Sequence, residues 1–195
     1  MMPWARAAWI AALFAGVSAA YGATVEGSVA VGGRPASRTV VYLEATGAAP
    51  LPVPAAHVVM DQKNLAFVPA VLPVTRGTVV EFTNSDDVQH NVFSPSAVAG
   101  KFNLGTYGPG ATRTVTLDEP GDVRILCNIH MEMEAHILVL DFPYFTVAKD
   151  GRYRIADVPA GTYTLKVWKG QWLNIARPVE LPAAGALTVN IAAEE

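Results

Sequence analysis

Residues 123–133 read Val-Arg-Ile-Leu-Cys-Asn-Ile-His-Met-Glu-Met and contain the only cysteine of the chain. The apolar residues before Cys127 predict a strand, and the residues after it predict a loop between strands. Within this loop Cys127, His130 and Met133 supply a thiolate, an imidazole and a thioether. Sulfur ligands favour Cu(I), and imidazole serves both oxidation states of copper. The stretch therefore predicts a copper site on a loop that joins two strands.

The first residues of the chain predict its compartment. Arg6 is the only charge before Glu26, and the apolar run from Ala7 to Val17 is followed by small residues. This pattern is typical of a secretory signal peptide, to which we assign residues 1–20. A membrane anchor is the alternative, but the run is shorter than the roughly 20 residues of a bilayer span. We expect an exported, periplasmic protein with no membrane span in the mature chain.

Predicted export limits the roles that the single cysteine can have. Cys127 cannot form an intramolecular disulfide, so it is either a buried, inert side chain or a metal ligand. Its neighbours favour the ligand. The full chain has 14 Lys and Arg against 17 Asp and Glu. Loss of Arg6 with the signal peptide leaves 13 − 17 = −4, and no basic run remains to neutralise phosphates, so we predict no nucleic-acid partner.

The chain after residue 20 predicts an all-β protein. Short apolar or alternating runs bounded by Gly, Pro, Asn and Asp indicate strands, and helical periodicity is almost absent. The predicted strands are Val25 to Val31, Val40 to Glu44, His57 to Gln62, Ala70 to Thr75, Val79 to Asn84, Asn91 to Ser94, Ala111 to Leu117, Gly121 to Cys127, Ala135 to Asp141, Tyr144 to Ala148, Tyr153 to Val158, Gly161 to Trp168 and Ala186 to Ile191. This number exceeds one small sandwich, so we expect two.

The two ends of the chain together resemble a carboxypeptidase-regulatory-like β-sandwich. The opening part, from Glu26-Gly-Ser-Val to Val40-Val-Tyr-Leu, contains the Gly33-Arg-Pro turn. The closing part contains Asp150-Gly-Arg-Tyr-Arg-Ile and Pro159-Ala-Gly-Thr-Tyr-Thr-Leu-Lys-Val. The resemblance implies a discontinuous sandwich of residues 24–46 and 142–192, with residues 55–141 inserted as a second domain. The Ala- and Pro-rich stretch from Gly47 to Pro54 is the predicted entry linker.

The inserted segment resembles the cupredoxins, the blue copper proteins. One histidine, His90 in His90-Asn-Val-Phe-Ser, is followed much later by Cys127, His130 and Met133 in a C-x2-H-x2-M pattern. The short loop is similar to that of amicyanin, and the segment resembles plastocyanin-like proteins labelled methylamine-utilization proteins. The resemblance implies a Greek-key sandwich that binds one copper ion, Cu(I) or Cu(II), through His90, Cys127, His130 and a weak axial Met133. It also implies a hydrogen bond from the Asn91 amide to the Cys127 sulfur.

One residue departs from the resemblance. Relatives usually have proline directly after the loop histidine, and this sequence has Met131, so either thioether is a candidate for the axial position, with Met133 favoured. In the family, the loop histidine projects its ring edge toward solvent and is surrounded by a small apolar docking patch. We expect that patch here to include Pro95, Tyr107, Pro109, Met131 and Met133.

The other conspicuous side chains receive structural roles. We expect His57 and His136 at the surface, Met60 in the core, Asp86 and Asp87 as a polar turn, and Trp168 and Trp172 packed around a strand end.

These inferences predict a non-enzymatic electron carrier. The expected partner is a c-type cytochrome or a periplasmic dehydrogenase or oxidase, and no C-x-x-C-H haem motif occurs in this chain. The alternative is a periplasmic copper carrier or buffer for delivery or resistance, favoured by Met131, His136 and Met60. A third possibility makes the chain a carbohydrate- or protein-binding module that uses Trp168 or Trp172.

Overall fold

The computed structural model describes residues 22–47, 57–98, 101–170 and 173–194. Every helix or strand assigned in these ranges is a β-strand, which confirms the all-β prediction. The strands are β1 (Ala23–Val31), β2 (Arg34–Pro35), β3 (Val40–Ala45), β4 (His57–Gln62), β5 (Phe67–Val68), β6 (Val71–Thr75), β7 (Thr78–Asn84), β8 (His90–Ser94), β9 (Phe102–Tyr107), β10 (Thr112–Leu117), β11 (Gly121–Leu126), β12 (Glu134–Leu140), β13 (Phe145–Val147), β14 (Arg152–Val158), β15 (Gly161–Lys169), β16 (Leu173–Leu181), β17 (Ala186–Thr188) and β18 (Ile191–Ala193).

Some predictions fall elsewhere in the chain. The signal peptide at residues 1–20, the linker beyond Gly47 and Trp172 lie outside the described residues. Within the described residues, no helix is long and apolar enough to cross a bilayer.

The first pair of sheets is built from the two ends of the described chain. One sheet has the order β14-β1-β17, with β2 and β18 also paired to β1, and the other has the order β13-β3-β15-β16. Their facing side chains form one buried core. The predicted alternation is confirmed there, because Tyr163, Leu165 and Val167 all point into this core.

The second pair of sheets is built from residues 57–140. Its sheets have the orders β10-β7-β4-β5 and β6-β12-β11-β8-β9. Strand β7 alternates regularly between buried and half-buried residues, and its Val80 and Phe82 enter a second core together with Leu117 and Ile125. This alternation is what one covered sheet face requires.

The two pairs of sheets pack against each other through their outer faces. On β12, Ile137 points into the second core, whereas Leu138 and Leu140 point away from it. These two leucines form a third buried cluster with Val40 and Trp168 of the other pair of sheets. Strand β12, which follows the metal loop, is therefore covered on both faces.

The structure also corrects the strand predictions. Strands β9 and β16 were not predicted, because β9 contains Gly105 and β16 contains Pro178. Proline lacks a donor for the sheet ladder, but β16 pairs only with β15 and lies at an edge, where proline is tolerated. The strand predicted from Ala186 to Ile191 is instead interrupted between β17 and β18, which pair with different parts of β1.

Candidate metal centre

The predicted ligands come together at one end of the second pair of sheets. His90 is the first residue of β8, and residues 127–133 form the loop from β11 to β12. Leu126, the last residue of β11, pairs with Phe93 on β8 and with Glu134 on β12. Three neighbouring strands therefore hold the loop beside His90.

The geometry brings three donor atoms to one point. The donor atoms of His90, Cys127 and His130 all lie within 4.8 Å of one another. The Nδ1 atoms of the two histidines are 3.0 Å apart. Two nitrogens that share a metal at about 2.0 Å each also lie about 3 Å apart when their bonds are near a right angle. A thiol with two imidazoles is a donor set that suits copper, so the residues present fit that ion.

Burial differs among these side chains. His90 and Cys127 are 0% and 3% exposed, whereas His130 is half-buried. Met133 is 1% exposed and lies in the same core cluster as Cys127, whereas Met131 is 83% exposed. Of the two thioethers, only that of Met133 is therefore buried with the sulfur of Cys127.

Backbone hydrogen bonds close the ligand loop. The N–H of Cys127 donates to the carbonyl of Met133 at 3.3 Å, and the N–H of Met133 donates to the carbonyl of His130 at 3.0 Å. The loop is short, and both of its ends continue into a paired ladder. Its side chains are thus fixed by strands rather than carried on a free segment.

A hydrogen bond to the cysteine sulfur is present as predicted. The backbone N–H of Asn91 donates to Sγ of Cys127 at 3.5 Å, which confirms the contact implied by the cupredoxin resemblance. The Asn91 side chain donates to Oδ1 of Asn103 at 2.8 Å, which ties β8 to β9. Hydrogen bonds of this kind orient a ligand and tune the metal that it binds.

Asp86 has a role at the site that the sequence analysis missed. Its Oδ2 accepts a hydrogen bond from Nε2 of His90 at 2.8 Å, and its carboxylate also accepts from the N–H groups of Asn64 and Leu65. Burial raises the pKa of the Asp86 carboxyl, but the hydrogen bonds from Leu65, His90 and Asn64 outweigh burial and hold the pKa below its ordinary value. The only sequence signal for this role was an acidic residue four positions before His90.

A buried polar network lies beneath the turn that precedes His90. The Asn84 side chain donates to the carbonyls of Val88 at 2.8 Å and Tyr107 at 3.3 Å, and its Oδ1 accepts from the N–H of Asp86 at 3.0 Å. The Gln62 amide donates to the Tyr107 hydroxyl. Burial raises the pKa of Tyr107 to about 12, although the hydrogen bond from Gln62 opposes that shift.

The predicted docking patch is partly wrong. Tyr107 is 4% exposed and Met133 is 1% exposed, because both side chains point into the second core. Pro95, Pro109 and Met131 are exposed as expected.

Four exposed apolar residues extend the surface at this end of the sheets. We call them the apolar rim; they are Leu65, Val88, Ile129 and Met131, between 40% and 83% exposed. Leu65 follows β4 and Val88 follows β7, and these parallel strands end side by side at Gln62 and Asn84. Ile129 and Met131 lie in the ligand loop, so the rim borders the metal centre.

The remaining side chains mostly have their predicted structural roles. His57 is exposed, Met60 is fully buried in the second core, and Trp168 is packed in the third cluster. His136 is half-buried rather than fully at the surface, and its Nδ1 lies 2.8 Å from Oδ1 of Asp122.

Comparison with known proteins bears on the same segment. Residues 54–140 match the sequence profile described as copper binding proteins, plastocyanin/azurin family. No curated protein sequence matches the chain significantly.

Among solved structures, the chain is similar to the Cu(I) form of a mutant amicyanin, with 20% identity, a TM-score of 0.42 and coverage of 51% of this chain and 99% of that one. It is similar to a purple cupredoxin from Nitrosopumilus maritimus, with 22% identity, a TM-score of 0.37 and coverage of 44% and 99%. It is also similar to the copper-containing nitrite reductase of Thermus scotoductus SA-01, with 26% identity and a TM-score of 0.42. That match covers 47% of this chain and 25% of the reductase, so the chain spans about a quarter of the reductase's length.

The family match and the donor chemistry agree on the cofactor. The matched segment contains His90, Cys127 and His130, whose donors converge in the structure. The cofactor of this segment is one copper ion. Residues 54–140 are therefore similar to the copper binding proteins of the plastocyanin/azurin family.

Proposed function

We propose that this chain is an exported type 1 copper protein that carries single electrons between redox partners in the periplasm. His90, Cys127 and His130 would hold the copper ion as strong ligands, and Met133 would be a weak one. The observation that carries the proposal is the convergence of a thiol and two imidazoles within 4.8 Å in a site where His90 and Cys127 are buried. Copper bound there supplies a one-electron couple between Cu(I) and Cu(II).

The protein part of the site suits electron transfer. His90 is held by a strand end and by Asp86, and Cys127 is held by the Asn91 amide and by the closed loop. Ligands fixed in this way move little when the charge of the metal changes. Four protein donors leave no open position for a substrate, so we propose no catalytic role.

The apolar rim is the proposed docking surface. It includes Ile129 and Met131, which flank His130 in the ligand loop, and His130 is the least buried of the three clustered ligands. Small apolar surfaces suit brief association, so we propose a c-type cytochrome or a periplasmic dehydrogenase or oxidase as the partner. No nucleic-acid partner is proposed, because the chain carries a net charge of −3.

The domain division is also a proposal. The first pair of sheets, with its own core, supports a sandwich of residues 24–46 and 142–192. The second pair, with a separate core, supports an inserted copper domain of residues 55–141.

Copper carriage receives less support from the same structure. Of the residues that favour it, Met60 is fully buried in the core away from solvent, and His136 is held by Asp122 and Glu134. Met131 alone offers an exposed donor. Both functions use the same proposed ligands, so mutation of a ligand cannot distinguish them. The absorption spectrum of the copper-loaded protein can.

The test is the visible absorption spectrum of the mature protein loaded with Cu(II). We expect an intense band in the red part of the spectrum from the bond between the Cys127 thiolate and copper, and we expect its loss in Cys127→Ser. Circular dichroism of both proteins controls for folding, and Met131→Leu is a matched control that keeps the band. A folded wild-type protein that binds Cu(I) without showing this band after oxidation would overturn electron transfer and favour carriage.

A further inference from the structure

We propose that Asp86 is a positioning residue that joins the copper ligand His90 to the surface turn of Asn64 and Leu65. The inference rests on the proposed function in one respect, since it takes His90 as a copper ligand. It assigns to one carboxylate both the orientation of that ligand and a direct connection to the apolar rim.

The first half of the argument concerns the His90 ring. Nε2 of His90 lies 2.8 Å from the Asp86 carboxylate, which can only accept a hydrogen bond when ionised. Nε2 therefore carries the proton of the neutral ring, and Nδ1 keeps its lone pair. That Nδ1 faces Nδ1 of His130 at 3.0 Å, on the side where Cys127 lies. Asp86 thus selects the nitrogen of His90 that is available to the metal.

The second half concerns the turn. Lys63 and Ala66 exchange backbone hydrogen bonds of 2.9 Å and 3.3 Å around Asn64 and Leu65, both of which have φ of 56°. This is the tight hairpin turn whose central residues are left-handed, and glycine is favoured where Leu65 stands. The Asp86 carboxylate accepts from the N–H groups of both central residues, at 2.5 Å and 3.0 Å. These bonds help to hold Leu65, whose side chain is 45% exposed, in a backbone conformation that is unfavourable for leucine.

Asp86 is itself held firmly. Its own N–H donates to Oδ1 of Asn84, which is 1% exposed. If a docked partner displaces Leu65, the movement is therefore transmitted to His90 through the Asp86 carboxylate, whose backbone is held by Asn84. The turn and His90 are coupled because Asn64, Leu65 and His90 all donate to the two carboxylate oxygens of Asp86.

The first experiment needs no variant and no copper. Imidazole ¹⁵N chemical shifts in the metal-free protein report which nitrogen of His90 carries the proton. We expect the Nε2–H tautomer, and an Nδ1–H tautomer would overturn the inference. Because this result is independent of the copper band, the inference and the proposed function can fail separately.

The second experiment compares Asp86→Asn with Asp87→Asn. Asp87 is an exposed neighbour, so the control makes the same charge change without removing these hydrogen bonds. We expect Asp86→Asn to raise the reduction potential more than the control does, because an ionised carboxylate on a ligand favours Cu(II).

The same pair of variants tests the turn. We expect amide exchange of Asn64 and Leu65 to become about tenfold faster in Asp86→Asn only, as loss of a hydrogen bond to a charged group predicts. Equal potentials in the two variants, or unchanged exchange at both amides, would overturn the coupling. If Asp86→Asn does not fold, the tautomer of the wild-type protein decides.

Discussion

Replacement of Trp168 by alanine measures how strongly the two pairs of sheets stabilise each other. Trp168 is 8% exposed, and its indole fills the third cluster between the outer face of β15 and Leu138 and Leu140 of β12. A buried aromatic side chain covers about 200 Å², which at about 25 cal/mol per Å² corresponds to about 5 kcal/mol. Measured truncations of buried Phe and Trp cost about 3–5 kcal/mol. We expect Trp168→Ala to lower the free energy of unfolding by about that amount.

The assay is urea unfolding of the copper-free mature protein, followed by far-ultraviolet circular dichroism. Trp168→Phe is the graded control, because it keeps an aromatic ring in the cluster and should cost less than half as much. We also expect the single transition of the wild type to separate into two in Trp168→Ala, since the two cores then lose their shared contact. A change of less than about 1 kcal/mol in Trp168→Ala would refute the reasoning that this cluster stabilises the fold.

Two other perturbations have expected outcomes. The hydrogen bond to Asp122 raises the pKa of His136 above 6.5, so its stabilisation is present at low pH and is lost as pH rises through the raised pKa. The unfolding free energies of wild type and His136→Gln should therefore differ at pH 5 and converge once the pH exceeds the raised pKa. A difference that grows with pH would contradict this. Met133→Leu should raise the reduction potential, because it removes a weak donor from Cu(II). Met131→Leu alters a side chain of 83% exposure and should leave the potential unchanged. Voltammetry of the two variants checks this, and the reverse pattern would assign Met131 as the axial ligand.

The candidate ligands could be predicted because three of them are close in the chain. Cys127, His130 and Met133 occupy one loop, and their chemical types alone indicate copper. His90 is distant, but few histidines were available and it precedes a short strand. The structure places it next to the loop because β8 pairs with β11. Local spacing and a small number of candidates were enough for this step.

The surroundings of the site could not be predicted in the same way. Asp86 was interpreted as part of a polar turn, yet its partners Asn64 and Leu65 come from a different hairpin that no local pattern connects to it. Tyr107 was expected to be part of the docking patch. In the structure it ends a strand, and its hydroxyl lies within hydrogen-bonding distance of Gln62 and the Phe82 carbonyl. Contacts between segments distant in sequence decide both roles.

The metal centre is held together by interactions that need no metal. The ring of His90 is fixed by Asp86, the sulfur of Cys127 accepts from the Asn91 amide, and the loop is closed by backbone hydrogen bonds. Each of these contacts begins or ends on a paired strand or on a turn that is itself anchored. A change of ligand positions would therefore require the sheet ladder to deform, which costs more than rotating side chains on a free loop. Because the ligands resist such movement, oxidation and reduction of a bound copper ion should proceed with little rearrangement of the protein.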